Sequence, residues 1–190
     1  MKGLLLDQNQ IEEICKRVGK EISEKLKDEE KIPVLVGVMK GSLNFMIGLM
    51  KYITIPFYTD YIQISSYYGT TRSNNIRLLK DVSYDISDRT IVIVEDIIDT
   101  GYSMKFLIEH MRNHQAKNVL VCALIDKAPA REVEVPIDFV GYVMDRSRFL
   151  IGFGLDYNEL ERNLPYIYEA DDDDVKRLDA VLNKDKKQYI

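Results

Sequence analysis

The chain has 190 residues, of which 46% are hydrophobic and 30% charged, a composition typical of folded globular proteins. Its net charge of -5 provides no long-range attraction to a polyanion, so we do not expect nucleic acid as a partner. No apolar run approaches the roughly 18 residues that a membrane helix needs. The apolar stretch at residues 4–6 is too short for a signal peptide, so we expect no membrane partner and a cytoplasmic protein.

Helical and strand-like patterns alternate from the start of the chain. Apolar residues recur at helical spacing over residues 11–26, which predicts an amphipathic helix. The short β-branched run at 33–39 predicts a strand buried on both faces, and residues 41–51 are typical of a second helix. Alternation of polar and apolar residues over 55–64 predicts an exposed strand or hairpin arm, which returns at 76–79.

The segment between these two arms, residues 65–75, is polar and lacks an apolar period, so we predict a loop. Loops of this length in compact domains tend to be functional. The remaining predicted elements are a turn at 83–89, strands at 90–94, 119–125 and 139–143, a helix at 103–113, an alternating segment at 149–155 and a charged, partly helical extension at 171–190.

This alternation of strands and helices predicts an α/β protein with a parallel sheet covered by helices on both sides. No internal repeat, low-complexity block or linker interrupts the chain. We therefore expect residues 1–190 to form a single domain.

The residues with the most chemical information follow the predicted strand at 90–94. Glu95 and Asp96 are adjacent carboxylates at its carboxyl end, where open α/β sheets bind their ligands. A glycine in the next turn allows close approach of an anion, and the N–H groups at the start of the next helix can bind a phosphate. The turn consists of Asp99, Thr100, Gly101, Tyr102 and Ser103.

Two adjacent buried acids need a cationic or hydroxylic partner, and a ribose diol with Mg²⁺ would provide both. The acids alone would favour a solvent-facing strand end that caps the next helix. The complete run E-D-x-x-D-T-G-x-S, placed after four β-branched residues, instead favours a sugar-phosphate site.

This segment, VIVEDIIDTGYSM at residues 92–104, resembles the ribose-5-phosphate signature of the type I phosphoribosyltransferases, which use phosphoribosyl pyrophosphate. It is most similar to the hypoxanthine-guanine branch, and the resemblance extends from about residue 33 to about residue 162. Neither a P-loop nor a G-x-G-x-x-G turn is present as a rival phosphate motif. The resemblance implies the type I phosphoribosyltransferase fold, with a mostly parallel central sheet flanked by helices, a small hood region and a mobile lid loop at about 65–75.

The resemblance also implies roles for residues outside this segment. Lys40 and Gly41 would bind pyrophosphate after a cis peptide bond between Met39 and Lys40, with Arg162 directed at the same group. Ser66 and Tyr67 would close with the lid over the reaction centre. Tyr68 and the pair at 74–75 stand where the family often has glycine.

The purine base would be held by three residues, according to the same resemblance. Lys127 would donate to its 6-oxo group, Phe149 would stack on its ring, and Leu150 would read its edge through the main chain. Asp156 would join Glu95 and Asp96 near Mg²⁺.

The implied activity is purine salvage by a pentosyltransferase. It would move the 5-phosphoribosyl group of phosphoribosyl pyrophosphate to N9 of hypoxanthine and guanine, giving IMP or GMP and pyrophosphate, and would refuse adenine. Asp99 would exchange a proton with purine N7. Family members are dimers or tetramers, which implies a homodimer or homotetramer. The alternative is a regulator of the same fold that binds phosphoribosyl pyrophosphate without catalysis.

Two other residue pairs have plainer interpretations. Cys15 and Cys122 lie in apolar patterns and are expected to fill the core. His110 and His114 have the i, i+4 spacing that can bind a metal, but no third ligand is evident in the nearby sequence, so an exposed helix face is favoured. The acidic run at 171–174 is expected to begin a helix and not to bind Ca²⁺.

Overall fold

The computed structural model describes residues 3–67 and 75–187. Among these residues, no helix combines the length and the apolar character needed to cross a membrane. The elements, in chain order, are β1 (Leu4–Leu6), α1 (Gln8–Leu26), β2 (Val34–Met39), α2 (Leu43–Met50), β3 (Tyr58–Tyr67), β4 (Asn75–Lys80), β5 (Thr90–Ile98), α3 (Tyr102–Asn113), β6 (Asn118–Asp126), a 3-10 turn (Ala128–Ala130), β7 (Phe139–Val143), β8 (Leu150–Ile151), β9 (Ile167–Glu169) and α4 (Asp172–Lys187).

The larger sheet contains six strands in the order β4-β3-β2-β5-β6-β7. All neighbours are parallel except β4, which runs antiparallel to β3. The strand order reverses between β2 and β5, and ligands of open α/β sheets bind at the carboxyl ends of the strands at such a point. The end of β2 and the end of β5 therefore position the candidate site.

Both faces of this sheet are covered, which confirms the predicted α/β architecture. Residues of α1 and α2 form one apolar core with one face of the sheet, and residues of α3 form a second core with the other face. Within β2, for example, Leu35 belongs to the first core while Val34 and Val36 belong to the second. Successive side chains of a strand point to opposite faces, so a strand buried on both sides needs an unbroken apolar run.

A second, three-stranded antiparallel sheet has the order β1-β9-β8 and forms the predicted hood. Its strands have two or three residues each, and β1 and β9 were not predicted because such short runs have no recognisable period. α4 follows, and the Asp171 carboxylate accepts the main-chain N–H groups of Asp173 and Asp174 at 3.0 Å. The prediction of a helix start in this acidic run is confirmed.

The predicted bounds of the loop, residues 65 and 75, were both wrong. Ser65 pairs with Arg77 and Tyr67 pairs with Asn75, so the arms of the β3–β4 hairpin continue into the polar segment. Main-chain hydrogen bonds between strands need no apolar period, which is why the pattern ended before the strands did. Residues 68–74, with Tyr68 and the first of the two adjacent asparagines, lie outside the described residues.

Candidate functional site

Glu95 and Asp96 lie within the carboxyl-terminal part of β5. This strand extends to Ile98, whereas the sequence pattern predicted its end at residue 94. Asp96 is 8% exposed. Burial raises the pKa of Glu95 well above its usual range, and the neighbouring Asp96 charge raises it further. Burial also raises the pKa of Asp96. Two such carboxyl groups at a strand end can bind a cation and can form hydrogen bonds with hydroxyl groups of a ligand.

The end of β2 packs directly against this acidic pair. A Cβ atom added to Gly41 would collide with the Asp96 carboxylate, and one added to Gly154 would collide with the Gly41 carbonyl oxygen. Gly154 has a φ of 103°, a conformation that other residues rarely adopt. The peptide bond between Met39 and Lys40 is cis, as predicted. Glycine at 41 therefore allows the end of β2 to approach Asp96, and glycine at 154 allows a third chain segment to approach Gly41.

The turn after β5 has the geometry of an anion-binding loop. Gly101, with a φ of 94°, directly precedes the first turn of α3, and a Cβ atom there would collide with the Val133 carbonyl oxygen. The Thr100 carbonyl is held by the N–H groups of Glu132 and Val133, each at 3.0 Å. The first N–H groups of a helix have no partner within it and can bind a phosphate.

A cavity of about 240 Å³ opens in front of this turn. Its walls are formed by the end of β5, the turn and the start of α3, with apolar side chains from β2, β3 and β4 opposite. The lining residues are Val38, Ile64, Ile76, Glu95, Ile97, Ile98, Asp99, Thr100, Gly101, Tyr102, Ser103 and Met104. The predicted sugar-phosphate residues therefore share one cavity, except Asp96, which does not line it.

Lys127 and Asp99 meet at the edge of this cavity. The Lys127 ammonium donates to Asp99 Oδ2 at 3.2 Å, and the lysine side chain is 11% exposed whereas the aspartate is 50% exposed. Arg131 donates to the Asp99 carbonyl oxygen at 3.0 Å and to the carboxylate of Asp126, the residue before Lys127. Arg131 was not predicted as a site residue, because it lies in a loop four residues after Lys127 and belongs to no recognisable motif.

Lys40 and Arg162, the predicted pyrophosphate residues, come together around two carboxylates. Lys40 Nζ lies 2.9 Å from Glu159 Oε2, while Arg162 Nη2 lies 2.7 Å from Asp156 Oδ1 and 3.3 Å from Glu159 Oε1. The hydrogen bond from Lys40, followed by that from Arg162, lowers the pKa of Glu159. Glu159 therefore holds a negative charge between the two cations. It was not predicted, because only the fold brings it to Lys40.

The predicted base-binding residues Phe149 and Leu150 are not in the cavity wall. Phe149 is 49% exposed, and its ring is perpendicular to that of Tyr157, with 6.0 Å between the ring centroids. Leu150 is buried in β8 opposite Glu169. The backbone of Ser66 and Tyr67 lies in β3, and their side chains lie outside the described residues.

Comparisons with known proteins decide the family. Residues 3–158 match the model of the phosphoribosyl transferase domain. Over 168 residues the chain is 40% identical to the hypoxanthine-guanine phosphoribosyltransferase of Streptococcus pyogenes, covering 88% of this chain and 92% of that protein. The chain belongs to the hypoxanthine-guanine phosphoribosyltransferase family. The enzyme of the same name from Bacillus subtilis is 36% identical over the same shares of the two chains.

Solved structures of this family have the same fold. A hypoxanthine phosphoribosyltransferase of Staphylococcus aureus matches with a TM-score of 0.84 and 33% identity, covering 90% of this chain and 92% of the other. The hypoxanthine phosphoribosyl transferase of Trypanosoma cruzi matches with a TM-score of 0.87 and 28% identity, covering 94% and 96%. The resemblance inferred from residues 92–104 and the type I fold are thereby confirmed.

Proposed function

We propose that this phosphoribosyltransferase moves the 5-phosphoribosyl group of phosphoribosyl pyrophosphate to N9 of hypoxanthine and guanine, forming IMP or GMP and pyrophosphate in purine salvage. The observation that carries the proposal is the joint placement of Glu95, Asp99 and the Gly101 turn around one cavity. The names of the relatives support the same reaction.

The carboxylates of Glu95 and Asp96 fit Mg²⁺, because the ion prefers oxygen ligands and these buried acids have raised pKa values that a nearby cation would lower. Asp156 is a third oxygen donor, although its carboxylate is bonded to Arg162. It would become available when Arg162 turns to pyrophosphate. When bound, Mg²⁺ would neutralise charge on the pyrophosphate leaving group.

The residues of the chain divide the remaining tasks. Loss of pyrophosphate leaves positive charge on the sugar ring, and Glu95 and Asp96 would fix the ribose hydroxyls close to that charge. The turn of Thr100, Gly101, Tyr102 and Ser103 would hold the 5-phosphate through main-chain N–H groups and hydroxyls. These contacts would keep the sugar in line with the attacking base.

The leaving group and the base would be bound on opposite sides of the sugar. Lys40, Gly41 and Arg162 would hold pyrophosphate, and Asp99 would exchange a proton with N7 of the purine. Lys127 would select a 6-oxo purine, since its ammonium needs an acceptor that a 6-amino group does not offer. Phe149 would stack on the base, and the Leu150 backbone would read its edge.

The family resemblance supports the lid and the oligomeric state, whereas charge and hydropathy support the location and the absence of nucleic-acid and membrane partners. Ser66 and Tyr67 would close over the reaction centre and exclude water from the cationic sugar. The chain would act in the cytoplasm as a homodimer or homotetramer. Its substrates would be small molecules, with no nucleic acid or membrane partner.

The test is a direct assay of the full chain. EDTA-treated protein is mixed with phosphoribosyl pyrophosphate, Mg²⁺ and hypoxanthine, and IMP is measured by chromatography, with adenine as the control base. We expect IMP formation that depends on Mg²⁺ and little AMP. Tight binding of phosphoribosyl pyrophosphate without any IMP would contradict the proposal and favour the regulator.

A further inference from the structure

Three side chains far apart in the sequence meet at the carboxyl end of α3. His110 lies in the last turn of α3, His114 directly follows that helix, and Asp81 directly follows β4. One ligand atom from each residue lies within 4.8 Å of the others. Within residues 3–67 and 75–187 these form the one cluster of three side chains with the composition and spacing of a metal site. The fold has supplied the third ligand that the nearby sequence lacks.

We infer that Asp81, His110 and His114 form a binding site for Zn²⁺ or a similar borderline divalent ion, separate from the Mg²⁺ chemistry of the active site. Two imidazoles and one carboxylate are a common zinc ligand set, and the i, i+4 spacing places both rings on one helix face. Water would occupy the fourth position of a tetrahedral ion.

Without an ion, one imidazole of the cluster bonds Asp81 directly and the other lies farther from it. His110 Nε2 lies 2.8 Å from Asp81 Oδ1, and His114 Nε2 lies 3.8 Å from Asp81 Oδ2. Ligand atoms around tetrahedral zinc, at bond lengths of roughly 2.0–2.1 Å, are about 3.3 Å apart. The Asp81 carboxylate only accepts, so His110 Nε2 donates to it, and zinc binding must displace that proton and lengthen this contact by about half an ångström.

Hydrogen bonds already orient two of the ligands. His114 Nδ1 lies 2.9 Å from the His110 carbonyl oxygen. A carbonyl only accepts, so Nδ1 carries the proton and Nε2 of the neutral ring keeps its lone pair toward Asp81. The Val82 N–H donates to Asp81 Oδ1 at 2.8 Å. A hydrogen bond such as the one to Nδ1 of His114, on the ring nitrogen that would not bind the ion, is typical of metal sites.

Few other groups in the chain compete for such an ion. The chain has only two histidines, and both are in the cluster. Cys15 and Cys122 are 1% and 0% exposed, and burial raises the pKa of both thiols, that of Cys15 to about 11. Borderline ions favour imidazole, whereas Glu95 and Asp96 provide only oxygen, which suits Mg²⁺. Zn²⁺ would therefore bind at the cluster of Asp81 and the two histidines, and Mg²⁺ would bind at Glu95 and Asp96.

The site would connect two parts of the active-site wall. Asp81 lies at the end of β4, which contributes Ile76 to the cavity, while α3 begins with Tyr102 and Ser103 of the proposed phosphate turn. A metal at this position would tie the β4 arm to the carboxyl end of α3. We expect bound Zn²⁺ to stabilise the folded chain, because an ion that binds only the folded state raises its melting temperature.

The experiment uses the untagged, EDTA-treated full chain. Two-dimensional NMR of the imidazole groups shows two ring systems, and one equivalent of Zn²⁺ is expected to shift both, whereas Mg²⁺ leaves them in place. At a Zn²⁺ concentration about 100 times the dissociation constant, the melting temperature should rise by roughly 5–10 °C. Calorimetric titration gives the affinity.

The decisive variants are His114→Gln and Asp81→Asn, each compared with Glu109→Gln, which removes an exposed carboxylate from the same helix. The first two are expected to weaken Zn²⁺ binding by about tenfold or more. Glu109→Gln should bind as the unmodified chain does. If Asp81→Asn fails to fold, the half-exposed His114 still provides the test. Unshifted imidazole signals, or unchanged affinity in His114→Gln, would overturn the inference. None of these results depends on the phosphoribosyl transfer reaction.

Discussion

The ammonium of Lys127 lies 3.2 Å from the carboxylate of Asp99, so the ends of β6 and β5 are joined by one charged hydrogen bond. The proposed reader of the base and the proposed proton carrier are thus neighbours before any ligand binds. Arg131 holds the main chain on the Asp99 side and Asp126 on the Lys127 side. Different measurements therefore distinguish the two roles: turnover for Asp99 and base preference for Lys127.

Replacing Asp99 with alanine is expected to lower kcat by about 10²–10⁴-fold, the range for loss of a general acid–base group. Binding of phosphoribosyl pyrophosphate should persist, since the phosphate turn is untouched. Steady-state kinetics gives kcat, and calorimetry gives the binding constant. Asp28→Ala, an exposed aspartate just after α1, serves as control. Turnover of Asp99→Ala at the unmodified rate would remove the proposed role.

Replacing Lys127 with methionine is expected to reduce the preference for hypoxanthine over adenine. The variant loses a charged hydrogen bond to the 6-oxo group, so kcat/KM for hypoxanthine should fall roughly 10–100-fold. The ratio of kcat/KM values for the two bases measures the effect. Lys105→Met, an exposed lysine of α3, should leave the ratio unchanged. An unaltered ratio in Lys127→Met would show that another group selects the base.

Glu159→Gln is expected to strengthen binding of pyrophosphate and of phosphoribosyl pyrophosphate. The Glu159 carboxylate bonds Lys40 and Arg162, so it competes with any anion for both cations. Exposed ion pairs contribute about 0.2–1 kcal/mol each, so the loss of two pairs predicts a roughly 2–30-fold lower dissociation constant. Glu161→Gln is the matched control, because Glu161 bonds Arg177 and Tyr168 instead. Weaker binding in Glu159→Gln would mean that the carboxylate orients the cations and does not compete.

The raised pKa of Glu95 predicts how the free energy of unfolding depends on pH. Its pKa is raised in the folded chain, chiefly by burial. The unfolded chain therefore loses this proton at a lower pH, and the free energy of unfolding falls as pH rises from the ordinary glutamate value toward the folded pKa. Removing the charge with Glu95→Gln should cancel that loss.

Thermal unfolding between pH 5 and pH 8, without Mg²⁺, measures this effect. Glu95→Gln should melt higher than the unmodified chain at pH 8, by roughly 2–4 °C for each kcal/mol gained, with a smaller difference at pH 5. It should also lose activity, a common trade-off at functional sites. Glu13→Gln, an exposed change in α1, should shift the curve little. A difference that grows toward low pH would have the wrong sign for a Glu95 carboxyl group with a raised pKa.

The local sequence alone determined the contiguous parts of this protein. A strand buried on both faces needs an unbroken apolar run, and the acids and turn at 95–103 follow such a run without interruption, so strand, carboxylates and phosphate turn could be predicted together. The alternation of strands and helices predicted the layered sheet in the same way. Functional residues that are close together in the sequence form a motif that can be recognised without the structure.

Only the tertiary structure decided which distant residues meet. Nothing in the local pattern relates Glu159 to Lys40, or Asp81 to the histidines of α3, because their proximity depends on strand order and on how the helices pack. The hood likewise joins β1, near the start of the chain, to β9, with strands too short to show a period. Hydrogen bonds and ion pairs depend on distances of a few ångströms, and those distances are determined by packing of the whole chain.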